Sequence, residues 1–308
     1  MILYIARRIA FVVPALVLAS VVVFGMIHLL PGDPVKIALQ GANATPEQIT
    51  ALRHELGLDR SLPEQYVTYM GRVLSGDFGR SIRTGSSVLG QFASVFPSTL
   101  LLALTAMAIA MLIGLGLGIV AGVRPGGTID AVLSIFSLIG VGVPPYLLGM
   151  FAILLFALTL RWLPATGEGG PDHLILPAIA LGWSFAAILA RLMRSSLIDV
   201  MRSDYILTAR AKGLSGATVL RVHALRNALI PVVTILGIQF GVLLGGAVVV
   251  ESVFARRGVG RLLVEGILNR DFPMVQGIVL ILVLIFLLVN LAVDILYGVL
   301  DPRLRRAA

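Results

Sequence analysis

Arg210, Lys212, Arg221 and Arg226 stand on one short stretch, Asp204–Pro231, in which no acid follows Asp204. Cations set this densely and without matching acids do not build a reaction centre; they suit docking onto another surface. No other set of residues in the chain has the spacing of a reaction site. There is no cysteine, which rules out a disulfide framework, a thiolate metal site and a cysteine nucleophile. His28, His54, His173 and His223 are scattered, with none of the spacings that bring imidazoles onto one metal. No G-x-x-x-x-G-K-[ST] run occurs, and neither Lys36 nor Lys212 follows a glycine, so the usual phosphate loop for ATP is absent. A serine–lysine dyad would need a lysine in or outside the membrane. Lys212 lies in the basic stretch and Lys36 in a turn rich in proline and glycine.

The elements that position the basic stretch follow from its own residues and its flanks. Residues 205–212 read as a helix, with Ala209 and Ala211 as good helix formers. Gly213 stands where a helix stops. A second short helix spans 217–226, and Pro231 lies just inside the next apolar segment. A bland connector between spans is short, polar and without pattern; this helix–glycine–helix unit is none of these.

The flanks are membrane spans. The chain of 308 residues is 58% hydrophobic and 13% charged, with mean hydropathy +0.99, whereas a soluble domain carries about 25% charge. Apolar runs at about 9–30, 97–123, 129–160, 174–193, 229–250 and 276–300 give six spans. The first exceeds the apolar core of a signal peptide and no A-x-A site follows it, so it is expected to be retained. Gly114, Gly116 and Gly118 superficially resemble a dinucleotide loop, but no strand or soluble βαβ unit surrounds them, and they read as close helix packing. Gly140, Gly142, Pro144 and Pro145 interrupt the third span and predict a kink. Gly237, Gly241 and Gly245 recur every fourth residue in the fifth span and suit either packing within the chain or an interface with a partner chain. Gln239 is polar at mid-membrane and suits a pore lining or a bond to a neighbouring helix. Asp294 lies in the sixth span, where a structural bond near the interface is favoured over a functional acid.

Residues 31–96 form the one sizeable polar segment. Thr45-Pro46-Glu47-Gln48 and Ser61-Leu62-Pro63-Glu64 read as capping boxes that start two helices, ended near Gly57 and Gly76. The segment suits a docking surface or cap of a pore mouth, or a purely structural cap. Basic residues set the orientation. With the N-terminus inside, the inner segments carry thirteen and the outer ones eleven. A long outer segment crosses regardless of its charge; setting aside its six basic residues leaves thirteen against five. This puts both termini and the basic loop in the cytoplasm. Nucleic-acid binding is not indicated, because the basic residues sit beside spans with few aromatics among them.

The basic stretch resembles the coupling loop of ATP-binding-cassette importer permeases, in the version of the dipeptide, oligopeptide and nickel permeases. T-A-R-A-K-G-L matches at Thr208 to Leu214 and N-A-L-I-P at Asn227 to Pro231. Leu207 stands where the general importer pattern has Glu, and the glycine-to-proline distance is longer, as suits the peptide and nickel branch. L-P-G-D-P after the first span, G-D-F-G-x-S from Gly76 to Ser81, Val259-Gly260-Arg261-Leu262 and the Asp301-Pro302-Arg303 ending also match. The resemblance implies an all-α membrane protein with six transmembrane helices, in the type I ABC importer (MetI-like) permease fold with a helical extracytoplasmic insertion. Its domains would be 1–30, a short start and first helix; 31–96, the insertion; 97–300, a five-helix core with the loop at 195–227; and 301–308, a cytoplasmic tail. It implies a plasma-membrane transport subunit without its own ATPase site, pairing with a second permease, two ABC ATPase subunits and an extracytoplasmic solute-binding protein. ATP and Mg would be bound by the ATPases and no cofactor by this chain. Tyr205, Ile206, Thr208, Ala209, Arg210, Ala211, Lys212, Gly213 and Leu214 would form the coupling contact, with Ile206 and Leu214 filling an apolar groove and Arg210 and Lys212 meeting acids at its rim. Gln239, Gly237, Gly241, Gly245, Pro144 and Pro145 are candidates for the pore or the permease interface. Di- or oligopeptides are the expected cargo, with nickel, glutathione or another small solute as alternatives. The contrasting class, an ion-coupled secondary transporter, calls for paired intramembrane acids or broken helices in two related halves, and the chain shows neither.

Overall fold

The computed structural model describes residues 2–29, 45–55 and 59–300. Among them the regular secondary structure is all helical, apart from one β-bridge between Arg80 and Ser87. The helices are α1 (Ile2–Leu29), α2 (Pro46–Glu55), α3 (Leu62–Leu74), α4 (Val88–Val123), α5 (Thr128–Gly142) and α6 (Pro145–Ala152, continued by π-helical Ile153–Thr159). There follow α7 (Asp172–Met201) and α8 (Asp204–Ala211). Helix α9 joins Gly216–Thr218, π-helical Val219–Ala224 and Leu225–Ala228. The last are α10 (Ile230–Val253), α11 (Val259–Leu268) and α12 (Phe272–Leu300).

By length and apolarity, four described helices can cross a membrane: Val88–Val123, Asp172–Met201, Ile230–Val253 and Phe272–Val293. A fifth span results if α5 and the helix after Pro144 form one broken crossing, and Val12–Met26 is apolar over a shorter length. The expected kink is a bend of 108° at Val143–Pro144. Pro145 starts the new helix and the N–H of Val143 still bonds the carbonyl of Ile139 at 2.9 Å, so the first helix closes before the break. The second span begins at Val88, well ahead of the expected Pro97, which lies inside α4. Phe92 stacks on Phe96 with ring centroids 5.2 Å apart, and this apolar face carries the helix upstream of the proline. Leu30 to Pro34, Gly57 and Asp301 to Arg303 lie outside the described residues, as does the side chain of Asp294.

The chain forms two compact units. The first holds residues 1–97 and 258–308. Its core is Val88, Phe92, Val259, Met274, Ile278 and Ile281. The Ser20 and Tyr66 hydroxyls meet at 2.8 Å, tying α1 to α3, and Gln276 donates to the Val23 carbonyl at 2.9 Å, tying α12 to α1. At the start of α3 the Ser61 N–H donates to Glu64 Oε2 at 3.2 Å, one arm of the expected capping box. Burial pushes the Tyr69 phenol on α3 up to about 12, and neighbouring Tyr66 adds to this. Asp271 is buried and accepts from the Ser81 hydroxyl and from the backbone N–H groups of Ile82 at 3.2 Å and Met274 at 3.4 Å. It follows Arg270, which holds φ +55°.

The second unit holds residues 98–257. Its centre is α7, and glycines set how closely α4 approaches it. A Cβ on Gly114 would lie 2.7 Å from the Ala186 carbonyl oxygen, and one on Gly118 2.6 Å from that of Ala190. Gly122 faces Leu197 in the same way, and Gly182 of α7 faces Ala106. The recurrence at every fourth residue puts three of these glycines on one helix face. Gly116 lies off that face, with open space around it. The small-residue packing expected of this run is therefore present.

Candidate functional site

The loop between α7 and α10 is a folded helical hairpin. Ser203 is extended ahead of α8, and Asp204 places an acid in its first turn, favourable at the positive end of the helix dipole. Gly213 ends the helix with φ +80°, and its N–H bonds the Arg210 carbonyl at 2.9 Å. A Cβ at Gly213 would meet nothing within 4 Å, so glycine is required here by conformation, not by space. Ser215 then caps α9, accepting from the Thr218 N–H at 3.3 Å.

The two arms pack on each other through one apolar face. Ile206 is 0% exposed and Ala209 is buried beside it, one helical turn on. Val219, Ala224 and Ala228 of α9 are buried too. Asn227 donates to the Tyr205 hydroxyl at 2.9 Å, and the Ser196 hydroxyl of α7 donates to the Ala228 carbonyl, also at 2.9 Å. These bonds seat the hairpin on the end of α7.

This placement corrects one expectation. Ile206 does not present itself to a partner: it is spent holding the hairpin together, because α8 has one buried face and Ile206 is on it. The outward apolar surface is Tyr205, Leu207 and Leu214, with Val222 from α9. Thr208, Arg210, Ala211, Lys212 and Gly213 are exposed around them, as are Arg221 and Arg226. None of the four cations pairs with a described acid. An apolar centre inside a basic rim can fill an apolar groove bordered by carboxylates.

The other candidates are not brought to one place. Pro144 is exposed at the helix break, with Pro145 half-buried behind it. Gln239 and Gly237 are half-buried, Gly241 is buried, and Gly245 is exposed with open space around it. Of these three glycines only Gly241 is buried, so the spacing of four does not bring all of them into a packed contact within the described chain.

Three polar links in the second unit escaped the sequence reading. Near the hairpin, Arg194 of α7 grips Asp130 of α5 with two guanidinium nitrogens, Nη2 to Oδ2 at 2.6 Å. At the opposite ends of the helices the Thr99 hydroxyl donates to the buried Glu251 carboxylate at 2.6 Å. Arg256, also buried, donates to the Ser98 hydroxyl at 3.1 Å and the His173 carbonyl at 3.4 Å. It follows Ala255, held at φ +49°. The partners sit tens of residues apart, and no local pattern marks them.

The sequence profile of the family described as "Binding-protein-dependent transport system inner membrane component" matches residues 114–306, and the profile of its N-terminal part matches residues 1–103. The chain is 42% identical over 302 residues to the glutathione transport system permease protein GsiC of Shigella flexneri serotype 5b, and 43% identical to that of Salmonella choleraesuis, each over 98% of both chains. It is also similar in fold to the MetNI methionine ABC transporter in inward-facing conformation, with TM-score 0.58 and 20% identity, covering 69% of this chain and 97% of that one.

Proposed function

We propose, for a chain that belongs to the family of inner membrane components of binding-protein-dependent transport systems, within the dipeptide and oligopeptide permease branch of ABC importers, that it moves small peptides across the membrane. As a multi-pass membrane component it supplies the pathway and not the hydrolysis of ATP. In this reading six spans place both termini and the hairpin in the cytoplasm. The chain pairs with a second, non-identical permease, and two ABC ATPases bind ATP and Mg beneath them. A solute-binding protein delivers cargo from outside, and the segment 31–96 faces it. Closure of the ATPases on ATP pushes the hairpin, and the spans switch from one access to the other.

The observation that carries this reading is the hairpin itself, a pre-folded knob with Tyr205, Leu207 and Leu214 outward inside a basic rim. Its internal packing makes it stiff, so force applied at α8 reaches α7 and is not absorbed locally. Among cargoes, glutathione stands first, because the similar permeases carry that name and it is itself a small peptide. Proteoliposomes holding both permeases and both ATPases, supplied with the binding protein, test this with labelled glutathione, a dipeptide, an oligopeptide and nickel. Uptake of a peptide that requires ATP and binding protein is the expected result. Uptake driven by an ion gradient without ATP would overturn the transport class, and uptake of nickel alone would overturn the cargo.

A further inference from the structure

Asp130 is 8% exposed, and its carboxylate takes bonds from the turn before α5 and from α7. Arg194 binds Oδ1 through Nε and Oδ2 through Nη2, the two parallel bonds of a guanidinium fork. The Gly126 N–H adds a third, to Oδ2 at 2.9 Å. Gly126 holds φ +83°, with open space where a Cβ would stand, so the turn from α4 to α5 is shaped by backbone conformation. The pair thus clamps three things together: the turn at 124–127, the first turn of α5, and α7.

Its position on α7 is informative. Arg194 lies two residues from Ser196, whose hydroxyl holds the Ala228 carbonyl at the end of the hairpin. One turn of α7 therefore grips the hairpin through Ser196 and α5 through Arg194. Helix α5 ends at the 108° break. Between clamp and break, α5 lies flush on α7: Gly140 sits against Ala187 and Trp183, and Phe136 packs on Trp183 with ring centroids 4.6 Å apart. A displacement of the hairpin thus has a short, continuous route into the broken helix.

We infer that the Asp130–Arg194 pair is a positioning device for transport, transmitting movement of the hairpin from α7 to α5 and its break. The Arg194 side chain is 32% exposed, and a part-exposed ion pair contributes little net stability. What a bidentate pair adds is direction, since two parallel bonds resist the sliding and rotation that apolar contacts allow. This inference rests on the reading of the hairpin as the contact for the ATPases.

The test uses the assembled importer in proteoliposomes, with uptake and ATP hydrolysis measured in the same sample. Arg194→Lys keeps the charge and removes the fork; Asp130→Asn keeps the shape and removes the charge; Gly213→Val runs beside them. Both pair variants are expected to retain the ATPases on purification and to hydrolyse ATP within about twofold of wild type, while uptake per ATP falls roughly tenfold. Should Asp130→Asn fail to assemble, the ratio in Arg194→Lys decides. An unchanged ratio in Arg194→Lys, or loss of uptake and hydrolysis in proportion, overturns the inference. The Gly213→Val sample separates the two ideas. Uncoupling there with normal pair variants removes the pair alone, whereas an unchanged ratio at Gly213→Val removes the reading of the hairpin.

Discussion

The two ends of the second unit handle charge in opposite ways. At the hairpin end, Arg210, Lys212, Arg221 and Arg226 are exposed around an apolar knob. At the other end Glu251 and Arg256 are buried and tied to Thr99, Ser98 and the His173 carbonyl within the chain. Exposed charge costs little to keep and is free to meet a partner; buried charge must be matched where it stands. One end therefore ties α4, α7 and α10 together through bonds within the chain, although Arg256 Nε is buried without a hydrogen-bond partner among the described residues. The other leaves its four cations without a described acid, as the proposed docking on an ATPase requires.

The contrast is broken most directly at the end with buried charge. Thr99→Val leaves a buried carboxylate without its hydroxyl donor and should destabilise the protein by about 1–3 kcal/mol, read as a lower melting temperature in detergent, with ATPase retention per folded molecule unchanged. Loss of the ATPase without loss of stability would show that this end, too, faces a partner. At the hairpin, Gly213→Val forces a β-branched residue to φ +80° and should cut uptake per ATP roughly tenfold with the melting temperature near wild type. The double variant Arg210→Glu/Lys212→Glu should release the ATPases at moderate salt several-fold faster, an effect that shrinks as ionic strength rises. The smallest effect is expected at Gly245→Ala, where a methyl meets open space. It should change the stability of the isolated chain by less than about 0.5 kcal/mol, and a clear loss of pairing with the second permease would mark that helix face as the interface.

The hairpin was largely legible in the sequence because its signals are local. The alanines near Arg210, the glycine at 213 and the basic residues without acids are all properties of neighbours in the chain, and α8, the left-handed Gly213 and α9 lie where they point. The break at Pro144 was legible for the same reason. What was not legible is which face of α8 turns inward. Ile206 and Leu207 are both large and apolar, and only the packing of α9 against α8 decides that the first is buried and the second exposed. The early start of α4 was hidden by Pro97, which reads as a helix start but is carried inside one by the aromatic packing upstream. The ion pair of Asp130 and Arg194 was beyond reach, because the two residues stand 64 positions apart on different helices and no local pattern joins them.

The absence of cysteine from the chain allows a direct test of where the hairpin docks. Single-cysteine versions at Leu207, 55% exposed on α8, and at Trp162, 70% exposed at the opposite end of the unit, would be treated with a short thiol-reactive cross-linker in the assembled importer. The ATPase should be captured from Leu207→Cys and not from Trp162→Cys. Capture from Trp162→Cys instead, or from neither while the ATPase still co-purifies, would contradict the docking of the hairpin on the ATPase.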